Sequence, residues 1–180
     1  ARDQPSAYTN VEVGDEIVAG ISGERGSFAV KLRSGDTVTA RRILLATGMI
    51  DVLPDIEGFQ PLWGSSIFIC PYCHAWEVQD RRFGFLAPNA ESLTFAIFLR
   101  SWTGSVVTLT NAQFEVTAED QARLARAGVH LDVRPITRFS GARGRLESVV
   151  FSTGDPLPLD ILFAKPPQRQ VALVESLGVT

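Results

Sequence analysis

The chain has 180 residues, of which 45% are hydrophobic and 21% charged, with a formal net charge of −3. That is ordinary globular composition, with room for one large domain or two small ones. Charges of both signs are interspersed, which argues against a nucleic-acid or anionic-membrane partner, and no apolar run approaches the ~18 residues of a membrane helix.

The N-terminal stretch ARDQPSAYTN is polar, has no initiator Met and reads as the tail of a helix already under way. It is not a signal peptide, and the chain is expected to be an internal piece of a longer protein. Residues 11–48 alternate as strands do. Expected strands are Val11–Val13, Glu16–Ile21 and Ser27–Leu32, separated by turns at Gly14-Asp15, at 22–26 and at Ser34-Gly35-Asp36. Such a meander buries little by itself. The run Ile43-Leu44-Leu45-Ala46 is continuously apolar, the pattern of a strand buried on both faces of a parallel sheet. It ends in Ala46-Thr47-Gly48, small residues that allow close backbone approach to a ligand, or simply a strand end with a glycine turn. Pro54–Gly64 carries two prolines and two glycines and is expected to cross between lobes.

The centre of the chain is Cys70-Pro71-Tyr72-Cys73-His74. These two cysteines are the only ones in the sequence. The apolar Ile67-Phe68-Ile69 before them predicts a strand that delivers a dithiol to a helix start or tight turn, where the positive helix end favours thiolate. Four readings of the pair stand open: an inert pair, a zinc half-site, a c-type haem attachment, and a redox dithiol. Zinc needs two further ligands, and only His74 and His130 exist. Haem needs a distal ligand, and Met49 is the one methionine. No metal is expected. One dithiol without further cysteines suits a reducing cytosol, so a cytoplasmic protein is expected. The Pro-Tyr filling also admits a glutaredoxin-like reading.

After the dithiol, Arg82–Ala87 predicts a strand, Ala90–Trp102 a helix and Val106–Leu109 a strand, together a βαβ unit. Thr117 with Asp120 predicts a capping box for a helix over 118–127, ended by Gly128. Val129–Val133 follows as a strand. Ile136–Phe139, Leu146–Ser152 and Leu159–Phe163 are expected as antiparallel strands, and 170–178 as a helix closed by Gly178.

Taken together, RRILLATGMIDVLPDIEGF, FICPYCHAWEV and the order of elements around them resemble the low-molecular-weight thioredoxin reductase family, FAD-dependent pyridine nucleotide–disulfide oxidoreductases. The resemblance covers nearly the whole chain. It implies an α/β fold with a discontinuous FAD-binding lobe, here its β-meander and ATG strand, and an inserted Rossmann-like nicotinamide-type domain. The boundaries it implies are 1–60 for the second part of the FAD lobe, 61–166 for the inserted domain with the dithiol, and 167–180 for the return to the FAD lobe. A glutaredoxin would instead follow its dithiol with a long helix, and a c-haem protein would be mainly helical.

The resemblance also implies roles. Cys73 would face the flavin and Cys70 would exchange with substrate, which requires both to lie within disulfide reach. His74 stands where classical members carry an acid; a histidine titrates near neutrality and could shuttle the exchange proton. Thr47 and Gly48 would lie against FAD. The family's Gly-x-Gly-x-x-Gly/Ala turn corresponds here to Ala87-Pro88-Asn89-Ala90-Glu91-Ser92, with Ala87, Asn89 and Ser92 at the small-residue positions. Both leading glycines are missing, Pro88 removes an N–H, and Glu91 places a carboxylate where phosphate would sit. Asn111-Ala112-Gln113 offers neither an acid for ribose nor an arginine for a 2′-phosphate. NADPH is therefore not expected to bind normally. This departure resembles the dithiol oxidases of holomycin- and gliotoxin-type pathways, which share Cys-x-x-Cys-His and work without NADPH. The expected partner is a small-molecule dithiol or disulfide, or a thioredoxin-like protein. The expected assembly is a homodimer. A reductase driven by NAD(P)H or ferredoxin, and a redox-inactive binding module, are the alternatives.

Overall fold

Tight glycine turns and alternating residues fold the first strands into a meander. In the computed structural model, which describes residues 4–178, β1 (Val18–Glu24), β2 (Ser27–Leu32) and β3 (Thr37–Ala40) form an antiparallel sheet in that order. The chain divides into two units. The first runs up to Ile50 and resumes at Gln168; the second is Asp51–Pro167.

Several expectations for the first unit are corrected. Val11–Val13 forms no strand: Val11 and Val13 are exposed, and alternation without a neighbouring strand yields only extended coil. The second predicted strand starts two residues late, at Val18. Ile43–Ala46 is not a strand either, and Leu44 is 91% exposed. A doubly buried strand needs partners on both edges and cover on both faces, and no described residue supplies them. Of the expected N-terminal helix tail, residues 1–3 lie outside the described ones and Gln4–Ala7 makes a single 3-10 turn.

β4 (Ile50–Asp51) leads to the second unit, which opens with α1 (Phe59–Leu62). Phe59 and Leu62 are buried there against Phe139 and its neighbours, so residues before 61 already contribute to this core. Five strands then form one parallel sheet: β5 (Ile67–Phe68), β6 (Phe83–Leu86), β7 (Val106–Leu109), β8 (Val129–Asp132) and β12 (Ile161–Ala164), in the order β5-β12-β6-β7-β8. Short α2 (Pro71–His74) follows β5, α3 (Leu93–Leu99) links β6 to β7, and α4 (Ala118–Arg126) links β7 to β8. The α3 segment is shorter than expected, because Ala90–Ser92 forms a 3-10 turn ahead of it. The Thr117 hydroxyl accepts from Asp120 N–H at 3.1 Å and donates to its carboxylate at 2.8 Å, the predicted cap.

β9 (Ile136–Ala142), β10 (Arg145–Phe151) and β11 (Pro156–Pro158) make a separate antiparallel sheet. The parallel sheet is thus sandwiched. Phe83, Phe85 and Phe163 pack under α3 and α4, while Ile67, Leu109 and Leu162 meet Phe139, Val149 and Phe151 on the other face. Leu159–Phe163 is therefore not the antiparallel strand expected from its apolar run. Residues 161–164 insert as β12 between β5 and β6, where every side chain is buried and the two faces alternate into the two cores. β13 (Gln168–Arg169) and the single-turn α5 (Ala172–Glu175) complete the first unit, shorter than the helix expected over 170–178.

Candidate functional site

The dithiol sits just past the end of β5, in the second unit. Cys70 is extended (φ −112°, ψ 114°) and caps α2, with Pro71 at its first position. Proline suits that position because its N–H would have no intrahelical partner and its φ is already helical. The turn is closed by Cys73 N–H to Cys70 C=O at 3.3 Å and by Ala75 N–H to Pro71 C=O at 2.7 Å. Pro71 and Ala75 are buried anchors; Cys70 is half-buried and Cys73 exposed. Both are free thiols.

The two sulfurs differ electrostatically. The Cys73 thiol hydrogen-bonds to Cys70 and holds its pKa below the ordinary value; burial opposes this, while the backbone N–H groups of Cys73 and Tyr72 and the charge of Lys165 add to it. Cys73 is pushed up, first by that same bond to Cys70, then by burial and by the negative charges of Cys70 and Glu77. The surroundings of Cys70 thus favour its thiolate, the reacting form of a cysteine.

His74 closes α2 with its ring stacked on Phe68, 4.3 Å between centroids and 9° between planes. Phe68 in turn touches Phe163 of β12, so the imidazole beside Cys73 is tied to the core of the parallel sheet. Tyr72 is 77% and Trp76 71% exposed. Tyr72 leans on Phe98 and Trp102, at 5.3 and 5.9 Å. Tyr72 and Trp76 are two large exposed aromatics close in sequence to Cys73 that the sequence reading left without a role. Their spacing from the cysteines was the available signal. Lys165 was also missed, and nothing local to it points to a cysteine so distant in sequence. Among the described residues no group of three or more His, Cys, Asp and Glu side chains could hold a metal ion.

Ala87, Asn89 and Ser92 fall at the end of β6 and the turn before α3. Ala87 is buried, its N–H bonded to Leu109 C=O at 2.9 Å. The Asn89 carboxamide oxygen accepts from Ser92 N–H at 3.0 Å, and the Ser92 hydroxyl donates back to Asn89 C=O at 2.6 Å. The turn satisfies itself, so the donor a phosphate would need at Ser92 is already engaged.

Thr47 and Gly48 lie in the first unit, on exposed chain outside any strand or helix. With Leu45, Met49, Gln170 and Val174 they border a concavity of about 360 Å³. Gly48 has φ +69°, and an added Cβ would meet nothing within 4 Å. Open backbone beside a threonine hydroxyl fits one edge of a flavin nucleotide. It is a small share of what a dinucleotide requires.

No family model matches the chain. It is 32% identical over 136 residues to a protein named "Probable thioredoxin reductase" from Arthroderma benhamiae, covering 72% of this chain and 33% of that one. It is 29% identical over 174 residues to "Thioredoxin reductase tcpT" of Claviceps purpurea, covering 92% of this chain and 54% of that one. The crystal structure of an oxidoreductase from Agrobacterium tumefaciens superposes with a TM-score of 0.89 at 32% identity, over 99% of this chain and 59% of the other. The chain therefore spans between a third and about 60% of these relatives. Its mixed α/β fold with a parallel sheet is part of the thioredoxin reductase-like fold.

Proposed function

We propose, for a chain related to the thioredoxin reductase-like oxidoreductases, that Cys70 and Cys73 form the redox-active pair of an FAD-dependent thiol–disulfide oxidoreductase that oxidises a dithiol. The carrying observation is the geometry of the pair: both free thiols sit on one turn begun by Cys70 and Pro71 and closed by Cys73 N–H to Cys70 C=O at 3.3 Å, with Cys73 exposed. In the oxidising direction a substrate thiolate attacks Cys70 of the Cys70–Cys73 disulfide, and the Cys73 sulfur leaves and takes up a proton. The second substrate thiolate then attacks the substrate sulfur of the mixed disulfide. Cys70 leaves as the stabilised thiolate, the better leaving group. The substrate dithiol has lost two electrons and two protons; the pair has gained both electrons and one proton, carried by Cys73, while Cys70 remains thiolate and the other proton goes to solvent. His74, adjoining Cys73 in sequence, is assigned the proton.

FAD, when bound, would supply a two-electron acceptor for the dithiol, with oxygen as the final acceptor. Thr47 and Gly48 would hold part of it. The unit up to Ile50 and from Gln168 is read as part of the FAD-binding lobe, and Asp51–Pro167 as the nicotinamide-type domain. The self-satisfied turn at Ala87–Ser92 supports a reaction without NADPH. The names of the two curated relatives favour a second reading, reduction of a disulfide by NAD(P)H or ferredoxin through the same cysteines. The substrate class in either case is a small dithiol or disulfide, or a thioredoxin-like protein. A cytoplasmic homodimer completes the reading.

Anaerobic mixing of the flavin-loaded protein separates the directions. Bleaching by a small dithiol but not by NADPH or NADH, reversed by air, supports the oxidase. Rapid bleaching by micromolar NADPH overturns it in favour of the reductase. Cys73→Ser should abolish thiol-to-flavin transfer. Unchanged activity in both Cys70→Ser and Cys73→Ser would end the redox reading.

A further inference from the structure

The second unit contains a pocket of about 410 Å³ that shares only Lys165 with the surroundings of the dithiol. It lies beyond the C-terminal ends of β6 and β12, with Leu86, Ala87 and Pro88 on one wall and Ala164 to Pro167 on the other. These two strands are neighbours. From β6 the chain proceeds outward through β7 and β8, whereas β12 and β5 lie on its other side. The pocket thus occupies the crevice where strand order reverses, the usual ligand position in an open parallel sheet.

Its chemistry does not suit a phosphate. Pro54, Pro88, Pro166 and Pro167 all line it and none carries an N–H. Ser92 N–H, in the turn that follows Pro88, is taken by Asn89. What remains is an aliphatic wall and one full charge. Lys165 is the only ionised side chain lining the pocket. Its ammonium rests 3.8 Å from the centroid of Phe95 and has no carboxylate partner among the described residues. The Gln113 side chain at the rim makes no hydrogen bond among the described residues. The volume falls in the range of small-ligand sites, roughly 300–1,000 Å³.

We propose that this pocket binds a small aromatic or alicyclic monoanion, its ring system between the prolines and leucines and its anionic group on Lys165. An apolar body gains from burial against walls that offer no competing donors. A single negative charge finds a cation stacked on a ring face and paired with no carboxylate among the described residues, and Gln113 supplies a hydrogen bond at the mouth. A dinucleotide would bring two further phosphate charges to walls without donors.

The probe is 1-anilinonaphthalene-8-sulfonate, an aromatic monoanion, titrated by fluorescence into the full chain. Its neutral counterpart is N-phenyl-1-naphthylamine. We expect saturable binding of one sulfonate probe per chain. Lys165→Glu should weaken that binding at least fivefold and change the neutral probe's less than twofold. Val52→Trp, at an exposed pocket edge, should weaken both. Lys165→Met serves if the reversal lowers the melting temperature. Sulfonate binding unchanged in the lysine and Val52 variants overturns the proposal. So does displacement of the probe by micromolar NADPH, which would make the pocket a nucleotide site.

Discussion

Replacing Asp160 by alanine removes the acceptor for three donors of one residue. The Asp160 carboxylate accepts from Arg82 N–H at 2.9 Å, from Nε at 2.8 Å and from Nη2 at 2.6 Å. Arg82 C=O accepts in return from the N–H groups of Asp160 and Ile161. The cluster locks the starts of β6 and β12, whose far ends carry the Ala87 turn and Lys165. The side chains are 48% and 30% exposed. Solvent screening limits the ion pair itself to about 1 kcal/mol. The backbone bond to a charged acceptor contributes about 1.5–3 kcal/mol at full strength, less at this exposure. Asp160→Ala should therefore cost roughly 2–3 kcal/mol, or about 5–10 °C in melting temperature for a chain of this length. Asp160→Asn keeps an acceptor for the backbone N–H and should lose only about 1 kcal/mol. Thermal melts followed by circular dichroism distinguish them. Equal melting of both variants would refute the assignment of most of the effect to the backbone contact; melting within ~1 °C of the unmodified chain would refute the clamp altogether. The pH dependence has a fixed sign. Arg82 holds Asp160 below its ordinary pKa. Its contribution is present above the ordinary carboxylate range near ~3.9 and fades as pH falls through the lower folded value. The alanine variant should lack that acid limb.

Iodoacetamide at pH 7 should label Cys70 before Cys73, and Cys70 labelling should persist to lower pH than that of a free cysteine; peptide mass spectrometry reads the order, and labelling of Cys73 first would contradict the hydrogen-bond assignment. Phe163→Ala should cost about 3–5 kcal/mol in urea unfolding, because the ring is fully buried against Phe83 and Phe68. It should also loosen Phe68 under His74 and blur the difference between the two thiols. Gly58→Ala forces a side chain to φ +79° and drives its Cβ into the Phe139 carbonyl. We expect a loss of about 2–4 kcal/mol from strain and overpacking combined, and a loss below 0.5 kcal/mol would show that the α1–β9 contact gives way freely.

What could be read in the sequence was whatever a short stretch decides for itself. Thr117 and Asp120 cap α4 through groups three residues apart, and Cys70–His74 make their own turn behind an apolar strand. The continuous apolar runs were read less well, for one physical reason. Burial preference states that a segment needs cover; it does not say from what. Residues 161–164 and 43–46 look alike on that criterion. The first run finds β5 and β6 on its two edges and becomes the inner strand β12. The second finds no strand among the described residues, leaving Leu44 almost wholly exposed. Likewise, the charge that helps Cys70 comes from Lys165, brought near by β12 and visible only once that strand is placed.

The turn at Ala87–Ser92 shows how the two kinds of information combine. Composition alone established that two glycines were replaced and that Pro88 lacked a donor. That could still leave a weakened phosphate site, with the helix N–H groups waiting for an anion. The geometry removes that possibility for one of them. Asn89 satisfies Ser92 N–H from within the chain, so a phosphate would have to displace a formed bond as well as approach Glu91. Restoring glycine at position 89 alone would free that donor while leaving Pro88 and Glu91 in place. Nucleotide affinity should then stay low until the charge at Glu91 is also removed; that outcome would tie weak nucleotide binding to electrostatics and donor count together and not to glycine content alone.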